Sequence, residues 1–317
     1  MFNTAAATEL RVKQTFFRNI FGTQYNIGFG SPRTDCCSTC IAVTEKINVA
    51  TGQEKQNLMA KKRIRSLRAK AFYTKLNECR DDMITFAFDC QKNLVLPKVP
   101  YQSTYYSRQL YLYNFTMVRC IADQKLNMSN VFSYVWREDQ APKNSSVIAS
   151  AVHHRLQNTD FNDDVTVTTV RLVADGCGGQ NKNETMLGMV CKWLHDETPS
   201  HVSHVELVFP MTGHSFLPPD RVFGNIERAL KKNDTLIFTE EYVEIISQFA
   251  SVLEIDNTWV PENWKEEVAK VLKTPQGLHF RITECKRFLI RKQLQGSVLQ
   301  IAVLQASVFT LAMHVLP

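Results

Sequence analysis

A chain of 317 residues that is 44% hydrophobic and 21% charged carries enough apolar material for a sizeable core, which excludes wholesale disorder and low-complexity proteins. Its formal charge of +6, from 37 basic and 31 acidic residues, is compatible with a polyanionic partner without requiring one. The charge is unevenly placed: nine basic residues against two acidic ones lie between Glu54 and Arg80, so this 27-residue stretch alone carries +7.

The opening stretch "ELRVKQTFFRNIFG" has helical spacing and ends at Gly22, and a glycine-rich loop follows. "SPRTDCCSTC" then reads as a cysteine-rich turn. From Thr51 to Asp82, Leu58, Ile64, Leu67, Ala71 and Leu76 recur among lysines and arginines, which predicts one long, largely exposed helix. "MITFAFDC" is a compact apolar strand ending in an acid, and "LVLPKVP" a proline-punctuated connection. "RQLYLYNFTMVRC" and "SNVFSYVWRE" are two further strands joined by a turn, and "NSSVIASAVHHRLQN" is a helix with a polar cap. A strand, "VTVTTVRLVAD", leads through "GCGGQNKN" to the helix "ETMLGMVCKWLHDE"; a strand, "HVSHVELVFP", leads through "MTGHSFLPPD" to the helix "RVFGNIERALKK". The predicted order is therefore β, β, β, α, β, α, β, α.

That order gives the acids their meaning, because groups at the carboxyl ends of strands in an α/β sheet collect in one crevice. Asp89 ends the first strand, Asp175 ends the fourth, and Asp220 and Glu227 lie at the start and on the second turn of the last helix. Clustered carboxylates repel one another unless a cation sits between them, so the pattern points to Mg2+ or Mn2+ and to phosphodiester cleavage or transfer. The plainer reading is that the aspartates terminate strands and cap a helix. His214, six residues before Asp220, is a candidate for orienting water or contacting a phosphate oxygen. Gly178 and Gly179 allow a sharp turn after Asp175; Gln180, Asn181, Lys182 and Asn183 then offer donors to phosphate or sugar oxygens, or alternatively cap the following helix through Asn183.

Cys37 and Cys40 form a C-x-x-C pair whose spacing suits Zn2+, but no second pair is present; Cys79 and Cys90 are distant candidates for completing it. Nine cysteines without framework spacing, and no charged-then-apolar leader near the start, favour a reducing compartment. The one-sided charge of the basic segment favours phosphate contacts from Lys61, Lys62, Arg63, Arg65 and Arg68. Residues 296 to 317 are apolar enough to raise the question of a membrane span, but their glutamines, Ser307 and His314 argue against membrane association.

"RTDCCSTC", "FDCQKNLVLPKVPYQSTYYSRQLYLYNF", "YVWRE" with "NSSVIAS", "VADGCGGQNKN" and "FPMTGHSFLPPDRVFGNIE" resemble, in order, the signature blocks of the DUF7869 family, across about residues 10 to 290. The resemblance implies a protein of transposable-element origin with an RNase H-like, DDE transposase-like core. It assigns the acids of the pattern to Asp89, Asp175, Asp220 and Glu227; Arg119 stands where relatives often have an acid.

The expectation is an α/β protein with an RNase H-like mixed sheet flanked by helices and an N-terminal helical, cysteine-containing arm. Its parts are residues 1–82 as the arm, 83–235 as the core, 236–293 as a helical and strand extension, and 294–317 as an apolar tail. The expected function is metal-dependent DNA cleavage or strand transfer in the nucleus, with a non-catalytic DNA- or protein-binding module as the alternative. DNA is the expected partner, and self-association is compatible with it.

Overall fold

The computed structural model describes residues 12–25, 36–161, 166–271, 280–292, 299–305 and 308–315. Most of the glycine-rich loop after Gly22, Asp35, part of the "DFNDD" turn and parts of the C-terminal tail lie outside these residues.

Three helices form the arm: α1 (Gln14–Gln24), α2 (Ser38–Val49) and α3 (Gly52–Leu76). The cysteine segment is thus no isolated turn; its C-x-x-C pair opens α2, with Cys37 at the N-cap position. β1 (Met83–Cys90), β2 (Leu94–Leu96), α4 (Gln102–Tyr106), β3 (Leu110–Cys120) and β4 (Val131–Arg137) follow. "LVLPKVP" therefore contains a short strand, since Leu94 and Leu96 are buried and pair with β3. Then come α5 (Ser145–Gln157), β5 (Thr169–Ala174), α6 (Glu184–Asp196), β6 (His204–Val208) and α7 (Pro218–Leu230), in the order expected. α5 opens where the Asn144 side chain accepts from the Ser146 and Val147 N–H groups. α7 opens with Pro218, whose missing N–H costs nothing at the first helical position.

The remaining segments, α8 (Thr239–Ser247), β7 (Ser251–Glu254), α9 (Trp264–Val271), β8 (Cys285–Lys292), β9 (Leu299–Gln305) and β10 (Val308–Val315), join the same assembly. Ten strands make one mixed sheet in the order β10-β9-β8-β6-β5-β1-β3-β4-β7, with β2 paired to β3. Its centre is an RNase H-like arrangement: β1–β3 and β3–β4 are antiparallel, whereas β1–β5 and β5–β6 are parallel. The extension contributes to both edges, β7 beside β4 and β8 beside β6. The tail continues the sheet as β9 and β10. Among the described residues, no helix is long and apolar enough to cross a membrane.

Both faces of the sheet are covered. Phe86, Phe88, Leu172 and Ala174 face the layer of α5 and α6, with Trp136, Trp193 and Trp264 in the same cluster. On the opposite face, Val222, Ile226 and Leu230 of α7 pack on Leu94, Leu112, Val118 and Val135. Each buried side chain of this size contributes roughly 1.5–3 kcal/mol. Beside them, Phe72 and Leu76 of α3 pack against Ala87, Val173, Val208 and Leu217.

A buried ion cluster fixes the end of α3 to this face. The Arg171 guanidinium, 1% exposed, donates to Glu206 (2.6 Å), to Glu78 (2.8 Å) and to the Lys75 carbonyl (2.7 Å); Arg287 also pairs with Glu206. Removing one partner from such a cluster strands the other charge in a low dielectric. Arg171→Ala is therefore expected to lower the unfolding free energy by roughly 3 kcal/mol, the low end for a broken buried pair because Arg287 still faces Glu206; urea denaturation measures it.

Candidate functional site

The site begins with strand register. β1 and β5 run parallel, and Phe88 opposite Ala174 is their last matched pair, so the next residue on each strand is an aspartate, Asp89 and Asp175. Side chains alternate across a sheet, and Ala87 and Val173, two residues back, both face α3 and the start of α7. Asp89 and Asp175 therefore leave the sheet side by side on that face. α7 crosses the same face and presents Asp220 from its first turn.

The three carboxylates feel one another. Burial, then the charge of Asp175, then that of Asp220 push the Asp89 carboxyl up to about 7, against the Cys90 N–H, which donates to Asp89 Oδ1 (2.7 Å), and the more distant Lys143. Asp220 is also raised, by burial and by Asp175, while the Leu217 N–H donating to its Oδ2 (2.7 Å) works in the other direction. Asp175 Oδ1 accepts from the Cys177 N–H (3.2 Å) and from the Asn181 side-chain amide.

Glu227 is differently placed. Its carboxylate accepts from Gln91 Nε2 (3.1 Å) and is paired with Lys92 Nζ (3.0 Å). Gln91 is itself 2% exposed and held by Asn114 Nδ2 (2.9 Å), so Glu227 ends a polar chain rooted in the core. Of the two acids on α7, Asp220 is the one coupled to the strand-tip pair. Gln91, Asn114 and Lys143 are not legible from the sequence as site neighbours; the position of Gln91, two residues after Asp89, is the available signal. Lys143 Nζ donates to the Gln91 carbonyl (3.0 Å) and to Asn93 Oδ1 (3.1 Å).

The amide-rich loop, expected to offer donors to nucleic acid, turns three of its side chains inward, those of Asn181, Lys182 and Asn183. Asn183 is the N-cap of α6, accepting from the Met186 N–H and donating to the Gly178 and Gln180 carbonyls. Lys182, 4% exposed, donates to the Thr283 carbonyl (2.6 Å) and lies over the Phe209 ring; burial, then Lys286, push it down to about 8. Asn181, 1% exposed, orients Asp175, and its own Oδ1 is buried without a hydrogen-bond partner. Gln180 stays half-buried. Asn181, Lys182 and Asn183 thus serve the strand-tip carboxylate and the fold around it.

His214 also departs from its expected role. Its Nε2 lies 3.3 Å from Cys40 Sγ and its carbonyl accepts from the Tyr73 hydroxyl, which directs the ring to the cysteine pair and not to the carboxylates. Among the described residues, Cys37, Cys40 and His214 form the metal-competent group of three whose donor atoms all lie within 4.8 Å of one another; neither the acids nor Cys79 and Cys90 do so. Burial raises the Cys37 thiol, but hydrogen bonds from the Cys40 backbone and from Arg65 outweigh it and bring it down to about 7. Cys36, Cys37, Cys40, Cys79, Cys90, Cys120, Cys177 and Cys191 are free thiols.

The basic residues divide into two uses. Lys61, Lys62, Arg63 and Arg68 are exposed on α3, whereas Arg65 Nη2 donates to Cys37 Sγ and to the Thr212 carbonyl (both 3.3 Å). Lys286, on β8 beside the carboxyl end of β6, is pushed down by burial and then by Arg65 and Arg68, which places these cations near one another. A groove of about 1040 Å3 opens between the end of α3, the β3–β4 connection and the first turns of α7; Asp220, Arg119, Lys125, Arg221 and Arg228 are among its lining.

A search of curated proteins found no match to the chain. Among solved structures, a chain of the simian T-cell lymphotropic virus intasome in complex with PP2A regulatory subunit B56 gamma aligns over 90% of this chain and 96% of that one, at 8% identity and a TM-score of 0.28, a superposition too loose to carry an argument. The model of DUF7869, a domain of unknown function, matches residues 118–295, a span that contains Asp175, Asp220 and Glu227 and leaves Asp89 and the cysteine pair before it. With more than half of its length matched, the chain belongs to the DUF7869 family.

Proposed function

We propose that this is a DNA-binding protein of transposable-element origin, acting in the nucleus, whose carboxylate cleft cleaves or transfers phosphodiesters with Mg2+ or Mn2+. The observation that carries the reading is the alignment of Asp89 and Asp175 at adjacent strand tips with Asp220 facing them; burial first, and then the charges of Asp175 and Asp220, raise Asp89 to about 7. The donors present are all oxygens: three carboxylates, with the unpartnered Oδ1 of Asn181 beside Asp175. That set suits a hard divalent cation. Asp89, Asp175 and Asp220 would hold it, and Asn181 would keep Asp175 oriented. Bound there, the cation would supply activation of the attacking oxygen and stabilisation of the leaving one. The cations lining the groove beside Asp220, together with the exposed face of α3, would hold a phosphate backbone.

A second reading, a non-catalytic DNA- or protein-binding relative, draws on two observations. Among the described residues the acids do not bring three donor atoms within 4.8 Å, and Glu227 is paired with Lys92 and accepts a hydrogen bond from Gln91. Mg2+ separates the readings, since a ligand that binds the native state raises its stability by mass action.

Three outcomes are expected. Asp175→Asn abolishes Mg2+-dependent nicking of DNA while the circular dichroism spectrum is unchanged; nicking at the wild-type rate removes Asp175 from the site. Second, native Asp89 keeps its proton to about pH 7, whereas an unfolded aspartate releases it near 3.9. The native state therefore binds more protons between those values, and unfolding free energy falls as pH rises through that window. Asp89→Asn should match wild type near pH 4 and exceed it by up to roughly 4 kcal/mol at pH 8 without metal. Mg2+ should narrow that gap by stabilising the wild type alone; parallel stability–pH curves would contradict the coupling. Third, replacing Lys61, Lys62, Arg63 and Arg68 with Gln should flatten the plot of log affinity for duplex DNA against log salt by about 0.9 for each phosphate that is no longer neutralised. An unchanged slope would move the DNA surface elsewhere.

A further inference from the structure

We propose that Cys37, Cys40 and His214 bind a Zn2+ ion that fastens the basic arm to the loop leading into α7. The ligands come from two places 174 positions apart in the sequence. Cys37 and Cys40, three residues apart at the start of α2, lie on one side of the helix's first turn. His214 arrives on the loop between β6 and α7, with Nε2 3.3 Å from Cys40 Sγ and all three donor atoms within 4.8 Å of one another. Tetrahedral Zn2+ with its usual bonds to sulfur and nitrogen separates its ligand atoms by roughly 3.5–3.8 Å, which falls inside this spread.

The surroundings are shaped around the thiols. Gly213 has φ +81°, and a Cβ on it would come within 2.6 Å of Cys37 Sγ, so both its conformation and its clearance call for glycine. Arg65 bridges the two sides, donating to Cys37 Sγ and to the Thr212 carbonyl, and its fixed positive charge favours the thiolate form that a metal requires. Two thiolates neutralise the ion, the imidazole completes the protein ligands, and the fourth position falls to water. The consequence is mechanical. The far end of α3 is already held by Phe72, Leu76 and the Arg171 cluster, and Zn2+ would secure its exposed basic half relative to a loop six residues before Asp220. This site stands independently of any catalytic activity.

The test uses the full chain, reduced, stripped with a chelator and titrated with Co2+ and then Zn2+. Co2+ should produce thiolate-to-metal charge-transfer absorption that about one equivalent of Zn2+ per chain abolishes. Cys40→Ser and His214→Ala should each weaken Zn2+ binding at least about tenfold, whereas Cys79→Ser should not, with far-ultraviolet circular dichroism verifying that each variant is folded. Chelation of the wild type should speed tryptic cleavage between Lys61 and Arg68. Lack of the charge-transfer band in reduced, folded wild type would overturn the proposal, as would wild-type affinity in folded His214→Ala.

Discussion

Everything distinctive about this molecule depends on the parallel pairing of β1 with β5. Because that ladder is in register up to Phe88 and Ala174, the residue after each is thrown to the same face, and both are aspartates. A one-residue slip would send one of them into the aromatic layer on the other side. The apolar alternation that buries Phe86, Phe88, Leu172 and Ala174 on one face therefore also sets two like charges beside each other on the opposite one. Their repulsion is a standing cost to the fold, and the network around Asp175 is arranged to bear it. The Cys177 N–H and the Asn181 amide donate to its oxygen, while Asp89 receives the Cys90 N–H.

The second constraint is how a strongly basic helix is held against a face that also carries acids. The C-terminal half of α3 is secured by apolar packing and by a guanidinium that joins the helix end, through the Lys75 carbonyl and Glu78, to Glu206 on β6. Arg65 reaches instead toward Cys37 and Thr212, leaving Lys61, Lys62, Arg63 and Arg68 outward. The same rim of the sheet thus presents negative groups at the tips of β1 and β5, and positive ones beside the tip of β6 and along the arm. Under the proposed function, a polyanion would lay its backbone on these cations while one phosphodiester meets the acids.

His214 and the "GQNKN" loop show how similar residue types diverge in use. Polar side chains after a strand tip resemble ligand donors as much as caps, and hydrogen bonding decides between them. Asn183 serves the N–H groups that α6 cannot satisfy internally, and Lys182 gives its ammonium to a backbone carbonyl from a segment 101 residues away. The Asn183 cap is among the local alternatives that the sequence offers, whereas the Lys182 partner is not inferable from local spacing.

The sequence by itself determined the element order of the core, the strand-end positions of Asp89 and Asp175 and the confinement of positive charge to one helix, because periodicity, caps and charge are local properties. It also carried the family resemblance. Only the tertiary structure decided that Asp220 rather than Glu227 is coupled to the strand-tip pair, that Lys182 is consumed internally, and that the C-x-x-C pair meets His214. It likewise turned the apolar tail into two more strands of the sheet. The carboxylate coupling, the Lys182 contact and the meeting of the C-x-x-C pair with His214 each rest on contacts between segments far apart in the chain, where register, burial and the approach of a second backbone choose among partners that the local pattern leaves equivalent.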